Sequence, residues 1–172
     1  MIIYDIRGDA LQSIERSGID VESLKGKTVL ITGGTGFFGI WFLTCLVNIK
    51  ERIGGDLELI TISRNPENFI TRIQDKKIIE NVEIIRGDIK VVKLNNKNIT
   101  HLVHMATTNA AETFGGHDQL DKIDLLYEGT KNILSQCGSS LEKVLFTSSG
   151  VAYGINNNSK ISEDDFTGPN TI

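Results

Sequence analysis

The segment Gly33-Gly34-Thr35-Gly36-Phe37-Phe38-Gly39 constrains the fold more than any other part of the chain, because of what stands on either side of it. Before it runs Thr28-Val29-Leu30-Ile31-Thr32, a compact and β-branched stretch that reads as a strand covered on both faces. After it, Phe38, Phe42, Leu46 and Ile49 repeat with helical period through Lys50. A glycine-rich turn between a buried strand and a helix leaves bare backbone and unpaired N–H groups at the helix start. That arrangement holds an anion by donated hydrogen bonds and the positive end of the helix dipole.

The same alternation continues down the chain. Leu57 to Ser63 reads as a second strand, Pro66 to Asp75 as a helix opened by proline, and Val82 to Arg86 as a third strand. Ile99 to Met105 reads as a fourth strand, Gln119 to Cys137 as a long helix, and Lys143 to Ser149 as a fifth strand. Strands alternating with helices imply βαβ units, so the expected fold is α/β, a doubly wound parallel sheet of Rossmann type with helices on both faces. Residues 1–26, with a short helix from Ile6 to Ser17, form an N-terminal helical extension, and residues 27–172 the nucleotide-binding domain. Two polar stretches, Thr107 to Asp118 and Ala152 to Ile172, follow the carboxyl ends of strands, where open α/β sheets place ligands.

Composition removes several classes of function. A net charge of −4 gives no broad basic field, so nucleic acid is not an expected partner. No stretch reaches the roughly 20 apolar residues of a membrane span, and the charged N-terminus does not read as a signal peptide. A cytoplasmic location is expected, with Cys45 and Cys137 as free, buried thiols. No metal is expected: the three-residue spacing of His101 and His104 on a strand points them to opposite faces, and His117 stands apart.

In the glycine loop, the first turn needs a backbone conformation that a Cβ disfavours, the middle glycine lets a pyrophosphate approach, and the last lets helix pack on strand. A kinase-type phosphate loop would require Gly-Lys-Ser/Thr, and Phe37-Phe38 follow Gly36 instead. The signal is therefore that of a dinucleotide cradle.

Thr32-Gly33-x-x-Gly36-x-x-Gly39 is similar to the fingerprint of the extended short-chain dehydrogenase/reductases, the NAD-dependent, nucleotide-sugar epimerase/dehydratase family. Four more stretches match in order: Gly87-Asp88-Ile89, His104-Met105-Ala106-Thr107, Glu128-Gly129-Thr130-Lys131-Asn132, and Phe146-Thr147-Ser148-Ser149-Gly150-Val151-Ala152-Tyr153-Gly154. The resemblance implies that Gly33, Gly36, Gly39 and the backbone of Phe37 and Phe38 hold the pyrophosphate. It implies that Asp88 and Ile89 meet the adenine, and that Ala106, Thr107 and Ser148 lie along the cofactor. Ser149 stands at the family's catalytic serine/threonine position, where a hydroxyl would bond the sugar hydroxyl being oxidised; Ser148-Ser149 reads equally as a strand-end turn. The resemblance also implies a homodimer built in part on helix 119–137, and a nucleotide-sugar substrate for the whole enzyme.

The family transfers its proton with Tyr-x-x-x-Lys, expected beyond Gly168-Pro169-Asn170; Tyr4 and Tyr153 have no lysine four residues on, and Tyr127, which has Lys131 there, lies in the long helix ahead of the fifth strand. No substrate domain is expected within these 172 residues. The chain thus reads as a truncated form or proteolytic remnant that binds NAD(P) without turnover. At the end of the second strand, where an acidic residue would chelate the ribose of NAD, stand Ser63 and Arg64. A hydroxyl and a cation suit a 2′-phosphate, which favours NADP over NAD, although arginine is also an ordinary surface residue. Gly150-Val151-Ala152 carries no acidic pair of the kind that the family's dehydratases resemble one another in having, which leaves epimerisation or 4-keto reduction, with hydride exchanged at sugar C4. The alternative is a non-catalytic dinucleotide sensor or regulatory module.

Overall fold

The computed structural model describes residues 6–73, 75–95, 97–108, 119–154, 160–165 and 168. Five strands form one parallel sheet: β1 (Lys27–Thr32), β2 (Leu57–Ser63), β3 (Val82–Arg86), β4 (His101–His104) and β5 (Lys143–Phe146). Their order across the sheet is β3-β2-β1-β4-β5. The chain runs outward from β1 through β2 to β3, then returns to place β4 on the other side of β1. A doubly wound sheet opens its ligand crevice at that reversal, beyond the carboxyl ends of β1 and β4. Ladder pairs such as Thr32↔Ile62 and Thr32↔His104 fix the register of the central strand against both neighbours.

Among the described residues, five α-helices flank the sheet: α1 (Ile6–Ser17), α2 (Phe37–Arg52), α3 (Pro66–Arg72), α4 (Lys76–Asn81) and α5 (Gln119–Cys137). Alternate residues of the strands feed two cores, as a strand buried on both faces requires. Val29, Ile31, Leu57 and Leu59 pack with Leu43 and Val47 of α2 on one face. Leu30, Ile60, Ile62 and Leu102 pack with Ile133 and Cys137 of α5 on the other. The N-terminal helix joins the first of these cores: Ala10 and Ile14 are buried, and Ile14 shares a cluster with Val29 and Ile31. Arg7 adds an ion pair to Glu51 of α2.

Three elements are shorter than their sequence reading. The helix expected from Pro66 to Asp75 stops at Arg72, because Ile73 turns extended (φ −76, ψ 128). Asp75 then caps a separate helix, its carboxylate accepting from the Lys77 N–H at 3.0 Å. β4 and β5 are shorter than expected, ending at His104 and Phe146, where their mutual pairing ends. Cys137 is buried and Cys45 half-buried, and both are free thiols. No described helix is long and apolar enough to cross a membrane.

Candidate dinucleotide site

The loop after β1 carries the strongest local constraint. Gly33 has φ +75, a left-handed conformation that costs other residues roughly 1–2 kcal/mol. A Cβ there would also lie 2.8 Å from the backbone carbonyl of Met105, so the turn is pressed against the end of β4. At the far end, a Cβ on Gly39 would sit 2.5 Å from Gly34 Cα. The first turn of α2 can therefore lie directly on the loop only with glycine at this position. The loop closes on itself through Gly36 N–H donating to Gly33 O at 3.0 Å.

Gly36 is the N-cap of α2 and supplies no side-chain cap. The amides of the first helical turn have no intrahelical acceptor, and no side chain substitutes for one. Phe37 and Phe38 do not cover them: both rings are displaced into solvent, 74% and 75% exposed, and meet edge-on at 5.3 Å. The result is a bare, electropositive helix terminus of sixteen residues facing the crevice.

A cleft of about 650 Å³ opens at this point. Gly33, Gly36, Phe37, Phe38 and Gly39 form one wall, and Ser63 and Arg64 lie at the end of β2. Asp88 and Ile89 line it after β3, and Ala106 and Thr107 after β4. Residues 56 positions apart in sequence or more, such as Gly33 and Ile89, are thus brought to one cavity. Asp88 is held by its own loop, its carboxylate accepting from the Lys90 N–H at 2.9 Å.

The long helix shapes this site from behind. A Cβ on Gly129 would meet the Ile89 side chain at 2.6 Å, so the glycine expected to pack closely does so against a cleft residue. Asn132 Nδ2 donates to the carbonyls of Ile89 and Val92 at 2.8 and 3.1 Å and pins the same loop. Thr130 Oγ1 reaches His104 Nε2 at 2.9 Å. One five-residue motif therefore holds two of the loops that line the cleft.

The structure does not bring the two serines in. Ser148 and Ser149 are exposed, and neither lines the cleft; Thr147, whose N–H donates to His104 O at 3.0 Å, does. Beyond Phe146 the strand pairing ends, and the backbone turns into a 3-10 helix at Gly150–Tyr153. The two histidines of β4 diverge as expected. His104 is buried, stacked on Phe146, and pushed below its ordinary pKa by burial. His101 lies on the opposite face, in the groove between α1 and β5. His117, Tyr4 and most of the loops 107–118 and 152–172 lie outside the described residues.

Comparison with known proteins decides the kinship of this cradle. A model of the 3-beta hydroxysteroid dehydrogenase/isomerase family matches residues 30–166, from within β1 to beyond β5. The chain belongs to this family. Among curated relatives it is similar to UDP-glucuronate 4-epimerase 2 of Arabidopsis thaliana, 27% identical over 95% of this chain and 39% of that protein. The chain thus spans about two fifths of the length of the curated relatives that it matches. Solved structures share its fold. ADP-L-glycero-D-manno-heptose-6-epimerase of Helicobacter pylori aligns at TM-score 0.63 and 23% identity, covering 88% of this chain and 48% of that one. The dTDP-glucose 4,6-dehydratase of Streptomyces venezuelae, solved with NAD bound, aligns at TM-score 0.63 and 21% identity over 83% and 46%. The kinship that the five motifs carry, to epimerases and dehydratases of the short-chain dehydrogenase/reductase type, is thereby shown.

Several lining residues were not singled out from the sequence as site residues. Thr35 sits inside the glycine loop, Leu125 comes from α5, and Met105, Thr108 and Thr147 flank residues that were named. Arg72 is the most informative. It lies at the end of α3, and its guanidinium reaches back to Thr35 O at 3.5 Å. A count along α3 from its Asn65 cap could have placed Arg72 one helix length beyond Ser63, but not against the loop.

Proposed function

We propose that this chain is the cofactor-binding part of a nucleotide-sugar epimerase or 4-keto reductase, and that it binds a nicotinamide dinucleotide, NADP in preference to NAD. The observation that carries the reading is the uncapped start of α2, kept bare by Gly33, Gly36 and Gly39 at the sheet's reversal point. The cradle fits a diphosphate because a Cβ would fill it at Gly33 and Gly39. Amides of Phe37 and Phe38 would hold the pyrophosphate, Asp88 and Ile89 would meet the adenine, and Ala106 and Thr107 would border the nicotinamide ribose. The bound nicotinamide would supply hydride exchange at C4 of a sugar. The 27% identical UDP-glucuronate 4-epimerase supports the nucleotide-sugar class.

These 172 residues are expected to bind without turnover. Tyr153 lacks a lysine four residues on, the Tyr127–Lys131 pair does not line the cleft, and Ser149 stands outside it. A tyrosine needs a neighbouring cation to act as a base near neutrality. That position of Ser149 also favours a second reading, a dinucleotide sensor with no chemistry of its own. Extending the chain with a Tyr-x-x-x-Lys segment separates the two: an enzyme part gains turnover of UDP-sugars, and a sensor gains none.

The exposed side chains Leu120, Ile123, Tyr127 and Leu134 on α5 support a homodimer through this helix. Calorimetric titration with NADP and NAD tests the central reading. Binding of one or both supports it, and binding of neither removes it.

A further inference from the structure

A second recess, about 160 Å³, adjoins the cleft on the side of β2 and α3. It shares Thr35, Ser63, Arg64 and Arg72 with the main cavity, and Asn65 and Asn68 complete it. Among the described residues its lining offers two guanidinium groups, two hydroxyls and two amides, and no carboxylate. The acid closest in sequence, Glu67, is held instead by an ion pair with Arg86. The recess is built by local structure. Asn65 Oδ1 accepts from the Asn68 N–H at 3.0 Å and Pro66 opens α3, so the helix ends with Arg72 beside the glycine loop. The Asn65 N–H donates to Ser63 Oγ at 3.2 Å, which leaves the serine O–H to act as the donor toward a ligand.

The geometry points to this recess as the seat of the 2′-phosphate of NADP, with Arg64 and Arg72 as paired cations and Arg72 as the residue that decides specificity. The assignment rests on the cleft being a dinucleotide site. The place is the right one: with the pyrophosphate at α2, the adenosine ribose falls at the end of β2, where Ser63 stands. A ribose hydroxyl offers two guanidinium groups little, whereas a phosphate dianion can accept from both, from Ser63 and from an amide of Asn68. An acidic residue at Ser63 would repel that dianion, and none is present. Arg72 is set apart from Arg64 because it comes from another element, the end of α3, and reaches the glycine loop.

The test is calorimetry on the 172-residue chain and its Arg72→Ala and Arg72→Lys variants, each titrated with NADP, NAD, 2′,5′-ADP and 5′-AMP. The unaltered chain should bind NADP at least about tenfold more tightly than NAD, and 2′,5′-ADP should show the same margin over 5′-AMP. Arg72→Ala should erase about tenfold in affinity for the two 2′-phosphorylated ligands and leave NAD within about twofold, with Arg72→Lys intermediate. Equal losses for NADP and NAD would assign Arg72 to the adenine or pyrophosphate and overturn the proposal, as would equal affinity of the unaltered chain for both. Binding of no dinucleotide would overturn the cleft itself, a distinct failure. Because Arg72 is exposed, urea midpoints of the variants should match that of the parent and exclude misfolding as the cause.

Discussion

His104 Nδ1 lies 2.9 Å from Thr32 Oγ1, and this one contact joins the last residue before the glycine loop to the last residue of β4. The partners fix the direction of every proton. Thr130 spends its hydroxyl proton on Leu126 O, so its oxygen accepts from His104 Nε2–H. Nδ1 then bears the lone pair and accepts from the Thr32 hydroxyl, whose oxygen in turn accepts from the Ala106 N–H at 3.2 Å. A neutral imidazole satisfies the whole chain of bonds. A proton on Nδ1 would face the Thr32 oxygen and force the hydroxyl to turn, beside the glycine loop.

The first expectation concerns pH. Burial holds His104 below its ordinary value near 6.5, and the same is true of His101. The unfolded chain therefore takes up protons that the folded one refuses. Stability should be fully present above about pH 6.5 and fall as pH drops below it. Urea midpoints measured from pH 8 to pH 5 should decline in the lower half of that range, and His104→Phe should flatten the decline in part, leaving the share of His101. A midpoint that rises toward pH 5 would contradict the assignment. Thr130→Val, which strips the Nε2 partner, should cost roughly 1–3 kcal/mol at pH 8.

Gly33 is the second point of test. With φ +75 and a would-be Cβ 2.8 Å from the Met105 backbone, Gly33→Ala adds both backbone strain and a clash that a neighbour's side chain cannot relieve. A loss of about 2 kcal/mol or more is expected, together with loss of dinucleotide affinity. Gly54 also has positive φ (+79), but no atom lies within 4 Å of its would-be Cβ. Gly54→Ala should thus show only the conformational cost, roughly 1–2 kcal/mol, and keep binding. Chemical denaturation and titration of both variants separate the two contributions.

How much of this was readable beforehand depends on how local the cause is. β2, β3, α1 and α5 begin and end where the apolar pattern places them, because period and flanking turn residues decide those ends within the segment itself. The glycine loop was readable for the same reason. The break between α3 and α4 was signalled by Asp75, a good cap ahead of Lys76, and overlooked because the apolar period runs through it. The cleft's far wall was not readable. Whether Thr147, Ser148 or Ser149 faces the cavity turns on one residue of register after β5, and three small hydroxyl residues in a row give no periodicity to settle it. Arg72 depends on the angle at which a seven-residue helix leaves β2, which no local pattern records.

Asn48 supplies a third test, in the opposite direction. It is 3% exposed on α2, and neither its amide nitrogen nor its carbonyl oxygen has a hydrogen-bond partner among the described residues. Leucine has nearly the same shape and removes the stranded polar atoms. Asn48→Leu should stabilise the chain by about 1 kcal/mol and raise its Tm by roughly 2–4 °C. A lower Tm would show that the amide has a partner of its own.

The apolar stripe of α5 gives the fourth. If Leu120, Ile123 and Tyr127 meet a second copy, sedimentation should show dimers at micromolar concentration, and Ile123→Glu should convert them to monomers with little change in the urea midpoint, since Ile123 is 59% exposed. Monomers throughout, at concentrations up to about a millimolar, would remove the dimer proposal.

The most direct test follows the backbone amides of the chain by nuclear magnetic resonance while NADP is added. The largest shifts are expected at Phe37, Phe38 and Gly39, whose N–H groups are to receive the pyrophosphate, with smaller ones at Ser63, Asp88 and Ala106. If those three amides stay unmoved while the ligand binds elsewhere, for example along the apolar groove between α1 and β5, the start of α2 is not a phosphate cradle.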